Sequence, residues 1–442
     1  MRKIYALLSL RKGEGRLLLA SAGFIFTLFA SYALLRPIRD ALGLHGGADE
    51  LKWLFAATFG ATLAGSLAAM WLSGSVRRRL YVDVIFAFFA LNLLGFWAAM
   101  RIYPEGSDGY AVLCRVFYVW VSVFNLFVIS SAWSVLADVF SKDASRRLFG
   151  VVSAGASVGS AVGAGFVSFA RGVDTSAFIF AAVLGLALAL KLKNHVIALG
   201  AELAEREAVS NLNANSNLNI NSTAAAREEY ERRFAAPLPS KNPLEGFKII
   251  VKSRYLLDFT LFMLLLTSVS TFLYMEQARV VSATFASREE RVSAFATIDL
   301  VVQSASLFIQ IFLTAKIAQF CGLKWLLSLL GFALAGAFIL LAFTHPAFLP
   351  LAIVMSARRI GEYALVKPAR EMLFVPLDGE SKYKVKNFLD TVVYRGGDAL
   401  SAQLEGALFK FGAGATLVGG AVVCALWGWV GLRLSKKYEE IK

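Results

Sequence analysis

Apolar runs of roughly bilayer-spanning length alternate with short polar turns along almost the whole chain. Six come first, at about 17–35, 51–72, 82–100 and 110–140, then a glycine-bearing run after SKDASRRLFG, then 176–192. A polar segment follows, partly low in complexity (NLNANSNLNINST, then REEYERRF), which lacks the apolar residues to build a core. Six further runs lie beyond it, at about 255–273, 294–315 and 323–343, two that carry many charges between 356 and 398, and one at about 416–434. This pattern predicts an all-α polytopic membrane protein of about twelve transmembrane helices in two six-helix bundles. The predicted halves are 1–192 and 248–442, joined by a cytoplasmic polar linker at 193–247.

Within the runs, spacing marks faces. Gly155, Gly159 and Gly163 recur every four residues, leaving a smooth strip against which another helix packs closely. Tyr32, Arg36 and Asp40 share one face of the first span, with Arg39 beside them and Pro37 disturbing the helix there. Asp299, Gln303, Ser306 and Gln310 line one face of the eighth, the mark of a helix beside a wet cavity.

Composition agrees: of 442 residues, 57% are hydrophobic and only 17% charged, below the quarter usual in soluble proteins. The formal charge of +14 comes from 45 Lys and Arg against 31 Asp and Glu. Its basic residues cluster in the N-terminal tail (Arg2, Lys3), at Arg77–Arg79, at Lys142, Arg146 and Arg147, and at Lys382 to Lys386. That placement is explained by the positive-inside rule, with both termini and the central linker cytoplasmic, and not by nucleic-acid binding. Cys114, Cys321 and Cys424 are scattered, and His45, His195 and His345 fall at segment ends, so no metal site, cofactor or disulfide framework is expected. No phosphate-loop or HExxH pattern occurs, which leaves little for an enzyme.

The informative feature is charge at membrane depth, which costs several kcal/mol unless it faces a partner or a wet path. On the tenth span Arg358, Arg359, Glu362 and Arg370 fall within roughly 120° of a regular helix, while Lys367 and Glu371 fall elsewhere and read as snorkelling residues. On the eleventh, Asp390, Tyr394, Arg395 and Asp398 fall within roughly 140°. Arg115 and Glu276 complete the set. It is rich in Arg, whose planar fork suits phosphate or carboxylate and stays charged when buried.

Three stretches, LLRPIRDALG, FYVWVSVFNLFVISSAWSVLADVFSKDASRRLFG and RRIGEYALVKPAREMLF…KYKVKNFLDTVVYRGGDAL, resemble the ATP:ADP antiporter family, most of all its shorter bacterial branch. The resemblance implies a major facilitator-like fold and exchange of ATP for ADP. It also implies four important charged positions: Arg39 and Arg395, each matching a Lys; Glu276, matching a Glu; and Ser122, where the family has a Glu.

The sequence thus predicts an alternating-access transporter for an anionic, phosphorylated solute, of the ATP/ADP exchange type. It would be monomeric, in the inner membrane of a bacterium. Arg36, Arg39, Glu276, Arg358, Arg359 and Arg395 are expected to hold the solute, with Asp40, Asp299, Glu362, Asp390 and Asp398 pairing with them as gates. Tyr32, Tyr118 and Tyr394 are candidates for stacking a base. A proton-coupled facilitator for another small solute, with Asp299 or Glu276 titrating, and a non-transporting scaffold or receptor are the alternatives.

Overall fold

The computed structural model describes residues 11, 13–170, 172–214, 221–236, 245–312, 314–377 and 379–441. Arg2 and Lys3 of the basic tail, and 215–220 of the Asn-rich stretch, lie outside these, as do the side chains of Lys142, Arg146, Lys382 and Cys321.

The first half is built from α1 (Glu14–Leu42), α2 (Leu51–Ser75), α3 (Arg78–Ile102), α4 (Asp108–Val139), α5 (Lys142–Phe169) and α6 (Thr175–Ala214). Two short helices, α7 (Asn221–Ala235) and α8 (Glu245–Lys252), lead to the second half. There α9 (Arg254–Thr284), α10 (Arg288–Phe312) and α11 (Thr314–Thr344, kinked at Gly322) precede two interrupted helices. The tenth span is α12 (Phe348–Gly361), a π turn (Glu362–Val366) and α13 (Lys367–Met372). The eleventh is α14 (Gly379–Phe388), a π turn (Leu389–Val393) and α15 (Tyr394–Phe409), and α16 (Ala413–Ile441) closes the chain.

Ten helices among the described residues are long and apolar enough to cross a bilayer. The two spans outside that set are the interrupted, charge-bearing ones, so the protein is a multi-pass, all-helical bundle with two atypical members. Each half has its own apolar core. One is centred on Phe24, Phe86, Phe117 and Phe124, the other on Phe259, Phe262, Phe338 and Trp427.

Three local features shape the interior. A Cβ on Gly155, Gly159 or Gly163 would sit 2.7, 2.3 or 2.5 Å from the carbonyl oxygens of Ala22, Phe26 and Ala30, so the glycine strip sets how closely α5 lies on α1. The sixth helix outlasts its apolar run and continues to Ala214, because Val196, Ile197, Leu199 and Ala201 keep a buried face turned to the bundle. Lys193, where the polar segment was expected to begin, is fully buried and paired with Asp83 at 2.5 Å.

The π turn at Glu362–Val366 ends just before Pro368. Proline lacks an N–H and its ring crowds the carbonyl four residues back, here that of Ala364, so a regular helix is disfavoured there. The extra residue turns everything after it back by about 100° relative to an unbroken helix. The second π turn lies on the β-branched run Thr391, Val392 and Val393, where helix propensity is weak, just before the Gly396–Gly397 pair.

Candidate functional site

A cavity of about 920 Å³ lies between the two halves. Its wall takes Tyr32, Arg36 and Arg39 from α1, Tyr118, Ser122 and Asn125 from α4, Ser157 and Ser160 from α5, and Gln303, Ser306 and Gln310 from α10. The two interrupted spans supply Arg358, Arg359, Glu362, Tyr363, Lys367, Arg370, Glu371, Lys386, Asp390, Tyr394, Arg395 and Asp398. Eight Lys and Arg side chains therefore face four carboxylates in its lining.

Five of the cations each have a carboxylate, Arg370 standing also 3.7 Å from Glu371. Arg39 donates to Asp40 Oδ1 at 2.9 and 2.5 Å, and Arg358 to Glu362 at 2.7 Å. Arg395 stands 3.7 Å from Asp398, Arg370 3.4 Å from Asp390, and Lys386 donates to Glu371 at 2.6 Å. The remaining three are Arg36, Arg359 and Lys367. Arg359 donates to Asp299 Oδ1 at 2.5 Å, and Arg36 Nε lies 3.6 Å from the other oxygen of the same carboxylate. Lys367 has no ion-pair carboxylate among the described residues; its ammonium sits over the Tyr363 ring, 4.3 Å from the centroid.

The cavity's mouth lies where α13 and α14 meet, with Glu371 and Lys386 partly exposed there. Toward the other end the halves seal against each other. Tyr274 donates to Asp40 at 2.8 Å, Arg288 to the Tyr110 hydroxyl at 2.7 Å, and Gln403 to the Lys52 carbonyl at 3.1 Å. The Ser168 and Thr297 hydroxyls meet at 2.7 Å.

The structure brings together most of the residues expected from the sequence. Arg36, Arg39, Arg358, Arg359, Arg395, Glu362, Asp390, Asp398, Tyr32, Tyr118 and Tyr394 all line the cavity. Asp40 and Asp299 stand directly behind lining arginines. Ser122, at the family's Glu position, puts its hydroxyl 3.4 Å from Arg39 Nη1, so the place is kept but the charge is not. Tyr118 and Tyr394 are already engaged by guanidinium groups, Arg39 and Arg395, 5.4 and 5.9 Å from their ring centroids. Tyr32 stacks on Phe124.

Three expectations are corrected. Glu276 does not line the cavity. It lies two residues beyond Tyr274, roughly 200° around the helix, so it faces away from the side that reaches Asp40. It meets His345 Nδ1 at 2.6 Å and stands 3.6 Å from Arg279, which grips Glu405 at 2.5 and 2.7 Å. Arg115 pairs with Glu50 half-exposed at the sealed end, not at membrane depth. Lys367 and Glu371 are not snorkelling residues off the polar face. The π turn rotates α13 back by about a residue and brings both onto the cavity side, an offset that counting along a regular helix does not contain. Tyr274 and Tyr363 carried no sequence signal of their own.

A second cavity, about 1010 Å³, lies between α5, α6, α10 and α12 and is lined chiefly by apolar side chains such as Val167, Phe178, Val301 and Ile353. It is slightly larger, yet few of its lining groups are polar enough to fix and orient a polar solute, and the charged cavity is the better candidate.

No family model matches the chain, and no curated protein matches it. Solved structures do. A POT family transporter in complex with 5-aminolevulinic acid superposes with a TM-score of 0.62 at 12% identity over 96% of each chain. The fold is major facilitator-like. A bacterial homolog of the human lysosomal transporter Spinster, in an inward-facing and unoccupied conformation, gives 0.58 at 15% over 98% of this chain and 99% of that one. A D-xylose–proton symporter gives 0.59 at 11% over 96% of each. The major facilitator-like bundle places the charged cavity between its two six-helix halves, with the interrupted spans as its most polar wall.

Proposed function

We propose that the protein is an alternating-access transporter for a phosphorylated organic anion, working by exchange in the inner membrane of a bacterium. The observation that carries this reading is the Arg-rich lining. Eight cations face one space, and buried donors there, Arg36 Nε and both Nε and Nη2 of Arg359, have no hydrogen-bond partner. Buried donors left unmade cost about 1–3 kcal/mol each, and an anion entering the cavity satisfies them. With the termini cytoplasmic, the mouth beside α13 and α14 faces the cytoplasm, and the sealed end marks the gate that opens in the other half of the cycle. Fold relatives that carry small solutes, one of them solved inward-facing and unoccupied, support the same reading.

Within that class, a nucleotide is favoured by the resemblance of the three charged stretches to the antiporter family and by the three tyrosines in the wall. A proton-coupled carrier is the second reading, favoured by the Glu276–His345 contact at the sealed end. Counterflow separates them. Purified protein in liposomes loaded with unlabelled ADP should take up labelled ATP or another phosphorylated solute without a proton gradient. Uptake that needs a proton gradient and is indifferent to internal anion supports the second reading. Absence of uptake for every phosphorylated solute removes the first.

A further inference from the structure

The pairing in the cavity is uneven, and the unevenness is local. Five cations each have an ion-pair carboxylate, whereas Arg36 and Arg359 share Asp299 and Lys367 has no ion-pair carboxylate among the described residues, three positive charges against one negative. The three are not scattered. Tyr363, on the π turn, has the Lys367 ammonium over its ring and feels the charges of Arg359 and Arg36, with Glu362 opposing them. Arg359 is only 3% exposed and has two guanidinium nitrogens without a hydrogen-bond partner, against one each on Arg36, Arg358 and Arg370. Lys367 is solvated at the wet side, Arg359 is deep, and Arg36 comes from the opposite half of the bundle.

We infer that Arg36, Arg359 and Lys367 form the anion subsite of the cavity, and that it takes a doubly charged group, the phosphate of a phosphomonoester. This rests on the reading of the cavity as an anion transporter's and narrows its substrate class. A local excess of two positive charges is neutralised by a phosphomonoester, which carries about −1.5 to −2 at pH 7. A diphosphate or triphosphate brings further negative charge that the subsite has no excess cation to meet, because the five matched pairs beyond it are neutral overall. The fork of Arg359 and the guanidinium of Arg36 supply planar donors, and Lys367 supplies a point charge at the entrance. Because Arg36 and Arg359 belong to different halves, a phosphate held by both also draws the halves together around it.

Calorimetric titration of the purified full chain, free of divalent cations and at fixed ionic strength, tests this with adenosine, AMP, ADP, ATP and inorganic phosphate. AMP is expected to bind about tenfold more tightly than ADP or ATP. It should weaken as pH falls through about 6, where a phosphomonoester gains its second proton. Lys367→Gln, at a solvated position that leaves the packing alone, should cost AMP about tenfold. Asp299→Asn raises the local excess to three and should move the preference toward ADP. ADP or ATP binding more tightly than AMP, or AMP binding unchanged in Lys367→Gln, overturns the subsite while leaving the transporter reading in place. If no phosphorylated compound binds and none is exchanged, the transporter reading falls and the subsite with it.

Discussion

Two regions of this bundle use the same chemistry, arginine against carboxylate, to different ends. At the sealed end, Arg279 holds Glu405 with two hydrogen bonds, at 2.5 and 2.7 Å, and the pair is nearly enclosed; Glu276 and His345 close the cluster. Arg115 with Glu50 and Arg288 with Glu105 tie nearby loops more loosely. In the cavity, by contrast, pairs are stretched or shared: Arg395 to Asp398 at 3.7 Å, Arg370 to Asp390 at 3.4 Å, and Asp299 between two arginines. Among the described residues, the first region leaves only Glu276 Oε2 and Arg279 Nε without a hydrogen-bond partner and lines neither cavity, so its groups are latches. The second holds donors in reserve, and a reserve of buried donors has a use only if something arrives to take them. Paired groups that line no cavity therefore mark a gate, and incompletely paired donors that line a polar cavity mark a binding site.

Substitutions break that contrast in a definite order. Arg359→Ala leaves Asp299 buried with its main partner gone, which costs about 3–5 kcal/mol, and it should abolish exchange. A melting curve and a counterflow rate check both. Glu405→Gln acts only on the latch. Weakening the charge-assisted contact to Arg279 should cost about 2 kcal/mol and lower the melting temperature, with anion affinity in the cavity unchanged. An affinity loss in Glu405→Gln as large as in Lys367→Gln would erase the distinction between latch and site. Gly159→Val tests the scaffold beneath both regions. Its side chain meets the Phe26 carbonyl, so α5 must move off α1 at a cost of about 1–3 kcal/mol, read as reduced melting temperature. The smallest effect belongs to Arg115→Ala, a half-exposed pair, which should change stability by no more than about 0.5 kcal/mol and leave exchange at the wild-type rate.

Much of this was legible in the sequence because membranes impose simple constraints. Apolar length marked the spans, the spacing of Gly155, Gly159 and Gly163 marked a close contact, and charges placed among apolar residues marked the cavity wall. What escaped has a common cause. Lys367 and Glu371 were lost because regular-helix counting carries no π turn, although Pro368 hinted at one. Glu276 was misplaced because the family resemblance carries over a position along the chain and not the side of α9 it faces, which is away from Asp40. The sharing of Asp299 between Arg36 and Arg359 joins residues from opposite halves, and a single sequence contains no signal for such a contact. The length of α6 was missed because the buried face past its apolar run is narrow, carried by Val196, Ile197, Leu199 and Ala201 among polar residues.

The most direct test of the central claim compares counterflow in liposomes for the wild type, Arg359→Gln and Arg115→Gln, using a labelled nucleotide and the matching unphosphorylated nucleoside. The account predicts exchange of the nucleotide but not the nucleoside by the wild type and Arg115→Gln, and none by Arg359→Gln. Equal exchange of nucleoside and nucleotide, or wild-type exchange by folded Arg359→Gln, would contradict it.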